Sequence, residues 1–151
     1  LGNRSILAHP GNKDAIRQIN NAIKMRDFWM PFAGTIIEED QNKYLINPKK
    51  MTSPHMLMGF KTQEKIRNEI ISALHPYDLT CRPQILEKSY NPEYYKLIKE
   101  FKSLTGIGCL LNTSFNIHGE PLVSSPIDAI NTLLKSDLKY LAIGNYYVEK
   151  K

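Results

Sequence analysis

The chain lacks most of the short motifs that give an enzyme away. It has no GxxxxGK[ST] loop, no GxGxxG turn and no HExxH helix. That excludes the common glycine-rich nucleotide cradles and the zinc-protease arrangement. Ser114 has no GxSxG frame, which argues against a nucleophile elbow. His9, His55, His75 and His118 are scattered without ligand spacing, so each reads as a surface or loop histidine and no metal site is expected. No acid–base carboxylate pair emerges, because Glu38-Glu39-Asp40 is most simply a solvated helix start. The two cysteines, Cys81 and Cys109, make neither a metal-ligand spacing nor a disulfide framework. Reduced thiols in a cytoplasmic protein are the expectation. No apolar run approaches the ~18 residues a bilayer span needs. There is no signal-peptide pattern either, and no membrane partner is expected. Internal repeats and low-complexity tracts are missing too.

What is present fits one domain. The chain has 151 residues, with 42% hydrophobic and 23% charged side chains. Twenty Lys and Arg against fifteen Asp and Glu give a net charge of +5. That favours an anionic partner, phosphate-bearing small molecule or nucleic acid. No basic run reaches five residues, which weakens the nucleic-acid case. The first residues, Leu1-Gly2-Asn3-Arg4-Ser5, read as the middle of something and suggest a domain cut from a longer chain.

Elements alternate along the sequence. Residues 5–8 form an apolar strand candidate. After the His9-Pro10-Gly11-Asn12 turn, Ala15, Ile16, Ile19, Ala22 and Ile23 recur at helical spacing. They predict an amphipathic helix over 13–24, capped by Asn12. Residues 35–37 and 56–61 are strand candidates, and 62–72 is ambiguous between helix and irregular chain. Arg82 to Glu87 reads as extended, with Pro83 at a strand start. Asn91-Pro92-Glu93 opens a helix, and Gly106 closes it. Its predicted stripe is Tyr94, Leu97, Ile98, Phe101 and Leu104. Residues 107–111 predict a buried strand. Ser125-Pro126-Ile127-Asp128 opens another helix, with Ile127, Ile130, Leu133 and Leu134 as its stripe. Residues 140–143 and 146–148 predict two closing strands. The pattern is that of an α/β domain with a mixed sheet.

One stretch concentrates the chemistry. Asn112-Thr113-Ser114-Phe115-Asn116-Ile117-His118-Gly119-Glu120-Pro121 follows the 107–111 strand and predicts a tight polar loop beginning at Asn112. Such loops at the carboxyl ends of strands bind ligands in open α/β sheets. By composition alone it is an Asx- and Ser-rich turn. The remaining candidates are cations: Lys24 and Arg26 at a helix end, Arg82 at a strand start, and Arg4 in a Gly/Asn loop. Arginine forks and lysine point charges suit phosphate. At the helix end, Lys24 and Arg26 also complement the helix dipole.

Five segments, LGNRSILAHP, INNAIKMRDFWMPFAGTIIEE, TCRPQ, NPEYYKLIKEFKSLTGIGCLLNTSFNIHGEPLVSSPIDA and YLAIGNYYV, span nearly the whole sequence. Together they resemble the C-terminal domain of the NodU/CmcH/TobZ family of O-carbamoyltransferases. The resemblance implies a YrdC-like fold, a twisted mixed α/β sheet flanked by helices. YrdC-like proteins carry a KxR motif, matched by Lys24-Met25-Arg26, and a TSxNxSGxP motif, matched by 113–121 with His118 where Ser is usual. It also implies an activity. Carbamoyl phosphate yields carbamate, which attacks ATP to form carbamoyladenylate and pyrophosphate. An N-terminal Kae1-like domain of the full-length chain then moves the carbamoyl group to a hydroxyl.

On that basis ATP is a substrate and Mg²⁺ its companion ion. Lys24, Arg26, Arg82 and Ser114 are the expected catalytic residues. Arg4, Asn112, Thr113 and Asn116 are the expected binding residues. Two positions depart from the family. Its usual Arg before PFAP is Met30 here, and the second Pro is Gly34. Losing one charge-assisted contact costs about 1.5–3 kcal/mol, which weakens phosphate binding without abolishing it. Two other readings remain open: a YrdC-like RNA- or nucleotide-binding module without carbamoyl transfer, and a degenerate domain that only stabilises its partner.

Overall fold

The computed structural model describes residues 1–25, 27 and 30–150. A four-stranded mixed sheet in the order β1-β6-β2-β5 forms its centre. Strand β1 is Ser5–Ala8, β2 Ala33–Ile37, β5 Gln84–Leu86 and β6 Cys109–Ser114. β6 runs antiparallel to both β1 and β2, and β2 runs parallel to β5. β1 is an edge strand that pairs with β6 from Ser5↔Ser114 to Ala8↔Leu111.

Both sheet faces are covered, as the strand alternation requires. Helix α3 (Pro92–Thr105) lies on one face, where Tyr94 and Ile98 pack with Ile37, Leu86 and Leu110. On the other face Ile36 and Cys109 pack with the 3-10 helix Glu64–Ala73, while Leu111 and Phe115 meet α1 and α4. Helix α1 (Ala15–Ile19) continues as a π-helical turn, Asn20–Lys24. Helix α4 is Pro126–Lys135. Short pieces fill the connection after β2: a 3-10 turn Glu38–Asp40, α2 (Gln41–Tyr44), and the paired strands β3 (Leu45–Ile46) and β4 (Lys61–Thr62). Strands β7 (Tyr140–Ile143) and β8 (Tyr146–Glu149) form a separate hairpin.

The expected α/β class with a mixed sheet and flanking helices is the observed one. The strongest end signals hold. Asn91 caps α3 by accepting from Tyr94 N, and Gly106 ends it at φ 77°. Ser125 and Asp128 form a reciprocal capping box on α4. Hydrogen bonds from the Ser124 and Ser125 hydroxyls, then from their backbone N–H groups, hold the Asp128 carboxyl down at about 2. Cys81 and Cys109 are free and buried; burial pushes the Cys81 thiol up to about 12, which makes it a poor nucleophile.

Five expectations need correction. The 13–24 helix is shorter and changes pitch: it starts at Ala15. Asn12 Oδ1 accepts from Asp14 N in a local turn and does not cap the helix. The 56–61 strand shrinks to Lys61–Thr62, because Phe60 makes only an isolated bridge to Cys81. The strand before the polar loop is displaced and longer, running from Cys109 through Ser114. The helical stripes are also narrower than their apolar pattern. Leu97 and Leu104 of α3, and Ile127, Ile130 and Leu134 of α4, are exposed. Among the described residues no helix is long and apolar enough to cross a membrane.

Candidate functional site

Strand β6 carries the polar stretch further into the sheet than its composition suggests. Asn112 and Thr113 are buried strand residues, and Ser114 is the last residue of the strand. The buried Asn112 survives because its amide is used. Nδ2 donates to Thr35 Oγ1 at 3.0 Å and to the Tyr94 hydroxyl at 3.2 Å. Thr35 in turn donates to Gln84 Oε1 at 3.2 Å. A half-satisfied network of this kind would be costly, so each partner matters. The network ties β6, β2, β5 and α3 together directly behind the site. Burial pushes the Tyr94 phenol above its ordinary range, keeping it neutral as a hydrogen-bonding group.

Beyond Ser114 the chain closes into a rigid loop. Asn116 Nδ2 donates to the carbonyls of Ile117 (3.1 Å) and Glu120 (2.8 Å). That fixes the amide so that Oδ1 faces inward as an acceptor. Ser114 Oγ donates to this Oδ1 at 2.6 Å. The amine of Lys24 donates to both, at 2.7 Å to Asn116 Oδ1 and 3.0 Å to Ser114 Oγ. Lys24 is only 3% exposed. Its position follows from the π-helical turn, and such turns often mark functional sites. His118 N donates to Ile23 O at 3.1 Å and locks the loop to the end of that turn. Met25 then takes the left-handed conformation at φ 46°, uncommon for a residue with a side chain.

The N-terminal segment forms the next wall. Gly2 takes φ +103°, and a Cβ there would fall 2.3 Å from the Tyr94 ring. Only glycine lets the chain lie this close. Arg4 O accepts from Phe115 N, and an Arg4 guanidinium nitrogen donates to Val123 O at 3.0 Å. The segment therefore straddles the 114–123 loop. A cavity of about 560 Å³ opens beside it, lined by Arg4, Arg82, Asn112, Thr113, Ser114 and His55 among others. That volume suits a small-molecule ligand. None of its lining residues is an Asp or Glu. Arg82 is exposed and makes no hydrogen bond or ion pair among the described residues. A basic cavity with no acid in its wall, which the Ser–Asn–Lys cluster reaches through Ser114, can hold a phosphorylated anion.

The expected residues thus fall into three groups. Lys24, Ser114 and Asn116 form one hydrogen-bonded cluster. Arg4, Arg82, Asn112 and Thr113 line the adjoining cavity together with Ser114. Arg26 lies outside the described residues. Asn112 lines the cavity, while its Nδ2 donates to Thr35 and the Tyr94 hydroxyl and braces the wall from behind. Met30 is exposed and is not among the cavity's lining residues. His55 lines the cavity although the sequence offers only a lone histidine in a Pro-containing loop. No local sequence signal marks it, because the loop is pinned by a tertiary contact, the buried Ser53 hydroxyl donating to Pro83 O. A second cavity of about 690 Å³ shares Gly2 to Ser5 as a wall and is bounded mainly by apolar groups of α4 and β7.

Comparison with known proteins points in one direction. The profile of a family described as "Carbamoyltransferase C-terminus" matches residues 1–150. An uncharacterized protein of Methanocaldococcus jannaschii is 45% identical over 99% of this chain and 28% of its own length. The nodulation protein NolNO of Sinorhizobium fredii is 39% identical over 100% of the chain and 22% of its own length. A 3'-hydroxymethylcephem-O-carbamoyltransferase of Streptomyces clavuligerus is 28% identical over 99% of the chain and 28% of its own length. The chain spans about a quarter of the length of the curated relatives it matches.

Proposed function

The chain belongs to the carbamoyltransferase C-terminus family, and from that premise we propose that it is the carbamoyl-activating domain of an ATP-dependent O-carbamoyltransferase. One observation carries the reading: a buried lysine amine held by Ser114 and Asn116 at the edge of an acid-free cavity lined by two arginines. Water cleaves carbamoyl phosphate to carbamate and inorganic phosphate, with release of a proton. A carbamate oxygen then attacks the α-phosphorus of ATP, the bond from that phosphorus to the bridging oxygen breaks, and pyrophosphate leaves with the electron pair. The product is carbamoyladenylate. Another part of the full-length protein, the Kae1-like domain, transfers the carbamoyl group to a hydroxyl and releases AMP.

In this scheme the protein contributes position and charge, which is most of what phosphoryl chemistry asks of it. Arg82 and Arg4 hold the polyphosphate. Lys24 stabilises the charge that develops on the phosphate oxygens during attack. The Ser114 hydroxyl and the fixed loop amides orient the reacting phosphate. Asn112 keeps β6 and α3 in register beneath it. Among the described residues no group of three His, Cys, Asp or Glu side chains is placed to hold a metal ion. The cavity wall also has no carboxylate. These residues do not fit a protein-held Mg²⁺, so no step is assigned to one.

Calorimetry with ATP, and a pyrophosphate-release assay with ATP and carbamoyl phosphate, test the proposal. ATP binding that weakens on Arg82→Ala is expected. No binding at millimolar nucleotide in a folded sample refutes it. RNA binding with a steep salt dependence in place of ATP binding would favour the nucleic-acid alternative.

A further inference from the structure

We propose that His55 is a ligand-contacting residue of the Arg4–Arg82 cavity, donating from its imidazole to the phosphate oxygens of the bound nucleotide. The inference rests on the nucleotide reading above. It starts from how the chain around His55 is tied down. Asn47 brackets the approach: its Nδ2 donates to Met51 O and its Oδ1 accepts from Met51 N, both at 2.9 Å. Ser53 is 2% exposed; its hydroxyl donates to Pro83 O at 2.7 Å, and its own carbonyl accepts from Ile85 N at 2.8 Å. Seven residues on, Phe60 and Cys81 exchange backbone hydrogen bonds of 2.8 and 2.9 Å. Residues 54–59 therefore arch over Pro83 and Arg82, with both feet fixed to the same stretch of chain. Met56 takes φ +58° at the turn of the arch.

This arrangement presents His55 and Arg82 to one cavity from one wall. Arg4 and Ser114 face the cavity from the N-terminal segment and from β6. His55 is exposed and has no hydrogen bond or ion pair among the described residues. A surface histidine on an untethered loop would gain little from ordering. Here the ordering is already built into the arch, so a contact made by the ring loses less entropy on binding. A phosphate presents only acceptors, and an imidazole N–H is a donor. The apolar neighbours Met56 and Leu57 leave the ring as the polar group that the arch offers to the cavity.

The test compares wild type with His55→Ala, His55→Asn and His55→Phe in the 151-residue chain. ATP with Mg²⁺ and inorganic pyrophosphate serve as separate calorimetric probes. Imidazole proton resonances are followed on adding each. His55 is exposed, so these substitutions leave the core packing intact, and a thermal melt checks that each variant folds. His55→Ala and His55→Phe are expected to weaken both ligands about tenfold, the effect of one lost charge-assisted hydrogen bond. His55→Asn keeps a donor and recovers most of the loss. The His55 resonance shifts with either ligand. Unchanged affinity in His55→Ala overturns the inference while leaving the nucleotide reading standing. Wild-type affinity in His55→Phe overturns it as well, because the ring then acts by stacking. Pyrophosphate binding without ATP binding, still sensitive to His55, supports the contact and refutes the nucleotide reading. Binding of neither probe overturns both.

Discussion

Replacing Lys24 with Met separates a functional cation from a structural strut. The Lys24 amine donates to Ser114 Oγ and Asn116 Oδ1 from a position only 3% exposed. Methionine keeps the length and the apolar stem while removing the charge. Two effects on stability then oppose each other. The two hydrogen bonds from a charged donor are lost, each worth about 1.5–3 kcal/mol in such settings. The cost of keeping an ammonium out of water, several kcal/mol, is also removed. The acceptors are not abandoned, because Ser114 Oγ still donates to Asn116 Oδ1 at 2.6 Å, and the Asn116 amide stays clamped by Ile117 O and Glu120 O. The expected net change in stability is therefore within about 1 kcal/mol, a melting shift of roughly 2–4 °C for a chain of this size. ATP affinity has no such compensation. Loss of a charge-assisted phosphate contact predicts a fall of about 10- to 150-fold. Differential scanning calorimetry gives the first number and titration calorimetry the second. A large drop in melting temperature with unchanged ATP affinity in the folded fraction would refute the reasoning and make Lys24 a strut.

Other consequences follow from the same geometry. Asn112→Ala takes one of its two partners, the other being Thr35, from the Tyr94 hydroxyl and removes a donor from Thr35, so urea unfolding should show a loss of about 1–3 kcal/mol. Gly108→Ala would set a Cβ 1.8 Å from Asp40 Oδ2; the Asp40–Lys102 ion pair at 2.7 Å must shift, and a melt should record clear destabilisation. The Asp128 carboxyl has its folded value lowered from 3.8 to about 2. Its contribution is thus present above pH 4 and lost as pH falls from about 4 toward 2; acid unfolding of wild type against Asp128→Asn, with the variant flatter in that window, checks the sign.

How much of this was legible in the sequence depended on range. The ends of α3 and α4 were readable, because Asn91-Pro92, Gly106 and Ser125-x-x-Asp128 act on neighbours within one turn. The pairing of Lys24 with Ser114 and Asn116 was accessible only through family resemblance, since no local pattern links positions so far apart. Asn112 was misplaced for the opposite reason. A buried asparagine looks like a loop residue until Thr35 and Tyr94 are known to meet it. The π-helical widening before Lys24 left no mark in the apolar spacing, which fits a regular helix equally well. Leu97 and Ile127 belonged to periodic stripes, yet periodicity says nothing about how wide a face the core will cover. His55 depended on an arch whose feet are tertiary contacts.

The edge strand β1 has a consequence for synthesis. Ser5–Ala8 pairs with β6, whose last residue is Ser114. On the ribosome its partner is therefore made roughly a hundred residues later, about 5–20 s at ordinary elongation rates. During that interval a short apolar strand waits with both edges open. The cavity wall formed by Gly2 to Ser5 cannot exist, and no ligand can rescue the nascent chain before β6 emerges. A chaperone that shields the first ten residues would then protect the binding site as well as the strand.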